Sequence, residues 1–295
     1  MDPSLRYFLQ QLLNGLSVGS MYAMIAVGYS MVYSILYLIN FAHGDIYVFG
    51  TFIALALWKV GLPIPAVIIL SCLAGAFVGM LVERSVYRPV RFANRIVPMI
   101  TALGVAMVLK TVSQVVWGPE TLPYFSIIPR KTIYIGELRV FSQQFLVLGT
   151  AVFFMLLFTL LIKKTKLGKA TQCVMQDINL SRVMGIPVDT IIPLVYGLGG
   201  LLGVIGGILF SSYYNAVSID MGIIGTVKAW AAAMLGGVGS FYGAFLGAII
   251  LGVGESIAGA YFSSAYRDAF GYIIIVLVLL FRPTGLFGKP RLEKV

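Results

Sequence analysis

The chain is predicted to be an all-α polytopic membrane protein of about nine (eight to nine) transmembrane helices, with broken helices in an inverted repeat. Three observations carry this. Of 295 residues, 59% are hydrophobic and only 11% are charged, against roughly 25% charged in soluble domains. Mean hydropathy is +0.96. Apolar stretches of the roughly 20 residues needed to cross a core about 30 Å thick recur along almost the whole length.

The opening, MDPSLRYFLQQLLNG, lacks the basic start, clean apolar block and small-residue cleavage site of a signal peptide, so the first helix is expected to stay in the mature protein. Candidate crossings are 9–36, 40–59, 63–84, 96–117, 143–163, 190–213, 217–236, 241–263 and 268–286. The net charge of +10 is concentrated beside these spans. Arg84, Arg88, Arg91 and Arg95 form one cluster, Lys163, Lys164, Lys166, Lys169 and Arg182 a second, and Arg282, Lys289, Arg291 and Lys294 a third. Positive charge at span ends is retained in the cytoplasm, so the clusters are expected inside, and no nucleic acid need be invoked. The loop from Gly118 to Ser142 has mixed charge and is expected outside. Three inside clusters require an odd count: nine crossings, N-terminus outside and C-terminus cytoplasmic. An eight-span reading would make a segment near Phe41 or Gly222 re-entrant.

The stretch YLINFAHGDIYVFG, residues 37–50, interrupts the first long apolar run with Asn40, Asp45 and the only histidine, His43. A faint echo lies 178 residues later, where Gly28 aligns with Gly206, Ser34 with Ser212, Gly44 with Gly222 and Ala54 with Ala232. Five crossings separate the copies, so one would be inverted against the other, with repeat halves of about 9–117 and 190–286. Paired broken helices in transporters flank a midplane route, and open backbone inside a bilayer is tolerated only against protein or a wet cavity. Glycines four residues apart, as in Gly15/Gly19, Gly75/Gly79, Gly199/Gly203/Gly207 and Gly243/Gly247, are expected to pack helix against helix.

Asn40 and His43, three apart, would share a helix face. They either line or gate a polar route or sit at a cytoplasmic helix end, where Asp45 is expected to cap the next helix. Tyr213, Tyr214, Asn215, Ser218 and Asp220 form the matching break near the outer face, where tyrosines also suit the interfacial aromatic belt. Lys228 and Glu255 fall inside apolar stretches, where ionisable groups are costly. Lys228 and Lys110 could snorkel, whereas Glu255 is expected at an interface or cavity. No catalytic constellation, phosphate loop or metal-ligand spacing is present, and Cys72 and Cys173 read as free thiols.

The segment 164–189 is expected to be a cytoplasmic loop. From Lys169 to Gly185 it reads as one short amphipathic helix bearing Val174, Ile178, Leu180, Val183 and Met184, with Pro187 as a stop. Its apolar side would rest on membrane lipid or on a cytosolic partner.

Nearly the whole chain, from Tyr7 onward, resembles the LivH-type permease subunit of bacterial branched-chain amino acid ABC transporters. The matching runs are YFLQQLLNGLSVGSMYAMIAVGYSMVYSILYLINFAHGDIYVFG, ERSVYRPVR, GKATQCVMQDINLSRVMGI, KAWAAAMLGGVGSFYGAFLGAIILGVGES and LLFRPTGLFGKP. The resemblance implies a single transmembrane permease domain over 1–295, in the bacterial inner membrane. It implies a homologous second permease subunit, two cytosolic ATPase subunits carrying ATP and Mg, and a periplasmic substrate-binding protein. This chain would then hold no cofactor and catalyse nothing itself. Asn40, His43, Gly44, Asn215, Ser218, Gly222 and Lys228 would line or gate the route, and Lys169, Asp177, Ile178, Arg182, Met184 and Gly185 would couple to an ATPase. Permeases for urea, short amides and other neutral amino acids share the family, and a facilitative channel is the alternative of another class.

Overall fold

The computed structural model describes residues 2–94, 96–237, 239–263, 267–282 and 284–287. Arg95, Lys289, Arg291 and Lys294 of the basic clusters therefore lie outside the described residues. Each of the nine apolar segments is helical: α1 (Pro3–Leu36), α2 (His43–Lys59), α3 (Ile64–Val82), α5 (Ile96–Trp117), α6 (Ser142–Lys164), α9 (Val188–Tyr214), α10 (Met221–Gly236), α11 (Phe241–Tyr261) and α12 (Arg267–Phe281). A π-helical turn, Glu83–Tyr87, and the short α4 (Arg88–Val90) prolong α3. Among the described residues six helices are long and apolar enough to cross a membrane: α1, α3 with its extension, α5, α6, α9 and α11. The others are shorter, with 17 residues in α2, 16 in α10 and 15 in α12.

Strands are few. Within the loop expected outside, β2 (Thr132–Ile135) and β3 (Leu138–Phe141) form an antiparallel hairpin, and β1 (Leu122–Pro123) pairs with β4 (Ala216–Val217). The fold is helical with these small additions, because the 118–142 loop must satisfy its backbone without a helix of its own.

Burial separates the helices by role. The apolar window of α1 is 94% buried and that of α9 78%, whereas α3 and α6 are 28% buried and α5 17%. Such apolar but uncovered helices belong against lipid or another chain. α1 packs chiefly on α11 and α9, and α9 on α1 and α3. The small residues explain the closeness: a Cβ added to Gly252 would stand 2.3 Å from the backbone nitrogen of Gly19. Only paired glycines permit that approach between α1 and α11.

The helices share two ends. At one, Gln10 of α1 exchanges hydrogen bonds with the Arg139 backbone at 2.8 and 3.0 Å, Gln144 of α6 donates to Asn14 at 3.1 Å, and the Ser212 hydroxyl of α9 accepts from Ile127 N–H at 2.9 Å. At the other, Asp189, at the start of α9, is ringed by Arg88, Arg91 and Arg182. Lys163, at the end of α6, lies 5.2 Å over the ring of Tyr242 at the start of α11. Hence α1 runs from the hairpin end toward the arginine end, and α9 runs back.

Candidate functional site

Two interruptions dominate the interior. α1 ends at Leu36 with Tyr37 in the left-handed region (φ 54°, ψ 33°), and α9 ends at Tyr214 with Asn215 likewise (φ 54°, ψ 29°). These are the only non-glycine residues of positive φ among the described residues, and they stand at the 178-residue spacing read from the glycines. The next helices restart at the same spacing, at His43 and Met221. A non-glycine side chain in this region is disfavoured, so both reversals are held by what surrounds them. Tyr37 N–H bonds to Tyr33 C=O, Asn215 N–H to Ser211 C=O, and Asn215 C=O accepts from Tyr124 N–H at 3.1 Å.

The two restarted helices cross at their first turns. A Cβ on Gly44 would lie 2.0 Å from both Gly222 O and Thr226 Oγ1, so the α2 and α10 backbones touch there. One turn on, the Tyr47 hydroxyl donates to Met221 C=O and closes over Gly225. His43, fully buried, lies against Gly28 of α1 and Gly203 of α9, with its ring edge-on to Tyr29 at 5.7 Å between centroids. Gly28 is about 12 Å along α1 from its end, at 1.5 Å per residue. His43 therefore lies deeper than the helix end at the inner surface that its sequence position also allowed.

Three local expectations change. Asn40 lies in the break and not on a helix with His43; its carboxamide oxygen accepts from Ala42 N–H and from the Tyr87 hydroxyl, each at 3.0 Å. This Asx turn shapes the break. Asp45 is not a cap, because α2 already starts at His43 with Ala42 at the N-cap. Its carboxylate is buried in the first turn, 3.0 Å from where a Cβ on Gly222 would be. Glu255, expected at an interface or cavity, is fully buried within the chain, where its Oε2 accepts from Lys228 Nζ at 3.0 Å and from the Tyr22 hydroxyl at 3.1 Å. Lys228 also donates to Tyr22 at 2.9 Å, and the group ties α10 to α11 and α1. Two opposite charges stranded in apolar stretches were the available signal for this pair.

Of the residues expected along a route, Asn40, His43, Gly44, Gly222 and Lys228 are buried, Ser218 is half-buried and Asn215 is exposed. Gly44 and Gly222 meet, Asn40 and His43 flank them on the α1 side, and Lys228 belongs to the separate pair with Glu255. Asp220, also exposed, takes a 3.0 Å ion pair from Lys110 of α5, which fastens the second break to its neighbour.

The loop between α6 and α9 holds two helices, not one: α7 (Lys166–Gln176) and α8 (Ile178–Val183). Asp177 separates them in extended conformation, and its Oδ1 accepts from Asn179 and Leu180 N–H at 2.8 and 2.9 Å. An aspartate whose side chain caps a new helix competes with continuation of the preceding one. Gly168, Thr171 and Val174 bury one face of α7, while Ile178 packs half-buried on the core. Leu180, Val183 and Met184 are exposed by 58, 84 and 69%. Gly185 turns the chain at φ +79°, Lys169 is exposed, and Arg182 reaches Asp189 at 3.6 Å.

Fold and site together define a multi-pass helical membrane protein with two interrupted helices crossing in its interior. The family model for the permease component of branched-chain amino acid transport systems matches residues 11–279, and the chain belongs to that family. It is 35% identical to the high-affinity branched-chain amino acid transport system permease protein BraD of Pseudomonas aeruginosa, over 99% of this chain and all of the relative. It is 33% identical to the corresponding permease LivH of Escherichia coli K12, over the full length of both. No solved structure matches.

Proposed function

We propose that this chain is the permease subunit of an ATP-driven importer that carries branched-chain or related neutral amino acids across the bacterial inner membrane. The observation that carries the reading is the meeting of Gly44 and Gly222, where two helices restart after matched left-handed reversals. The matched boundaries at one spacing, with α1 and α9 opposed, support an inverted repeat whose halves move against each other. The substrate class rests on the names of the full-length relatives. Asn40, His43, Gly44, Asn215, Ser218 and Gly222 form the gating region, and Lys228 holds α10 in position. The route itself passes between this chain and a homologous second permease.

ATP hydrolysis belongs to two cytosolic ATPase subunits, with ATP and Mg bound there, and a periplasmic binding protein delivers substrate. Leu180, Val183 and Met184 form the apolar knob that enters an ATPase groove, with Asp177 capping α8, Gly185 ending it and Lys169, Ile178 and Arg182 supporting its base. Val183→Glu combined with Met184→Glu is expected to abolish substrate-stimulated ATP hydrolysis in the reconstituted complex while the permease still reaches the membrane. Normal stimulation in that double variant would assign the knob to the lipid surface instead.

The arginine end faces the cytoplasm and the hairpin end the periplasm, giving nine crossings with the N-terminus outside. In a background lacking Cys72 and Cys173, a cysteine at Tyr134 should react with a membrane-impermeant maleimide in intact cells. Cysteines at Phe92 and Lys164 should react only after permeabilisation. Labelling of all three from one side would refute this topology.

A further inference from the structure

Between the arginine end and the first break runs a polar seam buried among α1, α3 and α9. Glu83, Tyr87 and Arg91, spaced by four, form one stripe across the π-helical turn and face α9. Asp189 accepts Arg91 at the outer end of the stripe, together with Arg88 at 3.3 Å and Arg182 of α8 at 3.6 Å. At the inner end the Tyr87 hydroxyl donates to Asn40, inside the break. Its ring lies 5.2 Å from that of Tyr196 on α9. The base of α8 is thus joined to the break through two side chains of one short segment.

The seam is also incompletely paired. Glu83 is 0% exposed, yet neither carboxylate oxygen accepts a hydrogen bond, and Arg91 Nη1 stands 3.7 Å away. The Tyr196 hydroxyl, Asn40 Nδ2 and Arg91 Nε and Nη1 are likewise buried without a hydrogen-bond partner among the described residues. Buried polar groups are ordinarily paired, and leaving them unpaired is destabilising. Here donors and acceptors lie along the same seam, with Glu83 and Arg91 held in a loose ion pair that makes no hydrogen bond. A small slide of the stripe along α9 would exchange which of them pair, the property of an element with two discrete arrangements. π-Helical turns mark such functional irregularities.

We infer that this seam carries displacement of α8 to the helix break, with Asp189 and Tyr87 as the positioning residues at its two ends. The inference rests on the importer reading. Its test uses the complete reconstituted complex with binding protein and leucine as the transported probe. Tyr87→Phe removes one hydroxyl and little volume; Asp189→Asn removes the charge that gathers three arginines. Tyr87→Phe is expected to lower uptake per ATP hydrolysed about fivefold, the effect of losing one buried hydrogen bond, and Asp189→Asn, whose side chain is partly exposed, by a smaller factor, with basal hydrolysis and membrane abundance unchanged. Asp189→Glu should recover most of the loss. Adding Asn40→Ala to Tyr87→Phe should cost no more than the larger single change, since coupled neighbours are non-additive. Wild-type uptake per ATP in both variants overturns the inference. So does a loss of uptake that tracks melting temperature and basal hydrolysis downward in step, since the seam would then only support the fold. A wild-type complex without ATP-dependent uptake overturns the importer reading itself, and the seam's role with it.

Discussion

Gly44→Leu is expected to abolish uptake by the assembled complex, and Gly44→Ala to impair it already. A single Cβ at this position would stand 2.0 Å from Gly222 O and 2.7 Å from Gly222 C, both backbone atoms. No rotamer change relieves contact with a backbone, so α2 and α10 must separate at their first turns. Forced overpacking of this kind costs about 1–3 kcal/mol and sometimes more, and here it acts where the break must keep its shape. Gly222 is less demanding: the nearest atoms to a Cβ there are Asp45 Oδ1 at 3.0 Å and the Gly44 carbonyl carbon and oxygen at 3.3 and 3.4 Å. The carboxylate can move, so Gly222→Ala should retain most uptake while Gly222→Leu loses it. Uptake at matched expression, with melting temperature in detergent, separates these cases. Normal transport by Gly44→Leu and Gly222→Leu would place the route elsewhere and make the crossing a packing feature.

Lys228→Met is expected to destabilise the folded chain by about 3–5 kcal/mol, the usual cost of stranding one partner of a buried pair. Glu255 is 0% exposed, and its Oε2 accepts from Lys228 Nζ and from the Tyr22 hydroxyl. The double variant Lys228→Met with Glu255→Gln should recover most of that loss, because no charge is then left at that pair. Thermal unfolding of the detergent-purified chain measures both. The same variants distinguish anchoring from a direct role in the route. An anchor predicts that uptake returns with stability in the double variant, whereas a substrate-facing lysine predicts a stable chain that does not transport. Wild-type stability in Lys228→Met would show that the pair does not hold α10.

Much of the proposed gating region was legible because it violates the surrounding pattern. Asn40, His43 and Asp45 stand out in an apolar run, and the glycine echo placed Gly44 opposite Gly222 in the alignment before the backbone placed them in contact. The details were less legible because they depend on where helices start. A start at His43 turns Asp45 from a cap into a buried first-turn residue and leaves Asn40 in the break. Asp177 shows the same sensitivity: hydrophobic periodicity ran through it, but its side chain begins α8 and ends α7. Asp189 and Tyr87 went unremarked as individuals. An acidic residue at a helix N-terminus beside an arginine-rich loop was the one usable signal for the first.

Composition and the lengths of the apolar runs determined the class of this protein by themselves. Transfer from water to hydrocarbon is roughly additive over consecutive residues, so a one-dimensional pattern suffices to find the helices. Only the tertiary structure decided which polar groups share a partner. Lys228 finds Glu255 across 27 residues, Tyr87 finds Asn40 across 47, and Gly44 meets Gly222 across 178. Such pairings depend on which helix faces pack together and at what depth, and in a membrane interior an unpaired group has no water to fall back on. Chain order does not encode that choice locally; it emerges when the glycine-lined faces of α1, α9 and α11 close on one another.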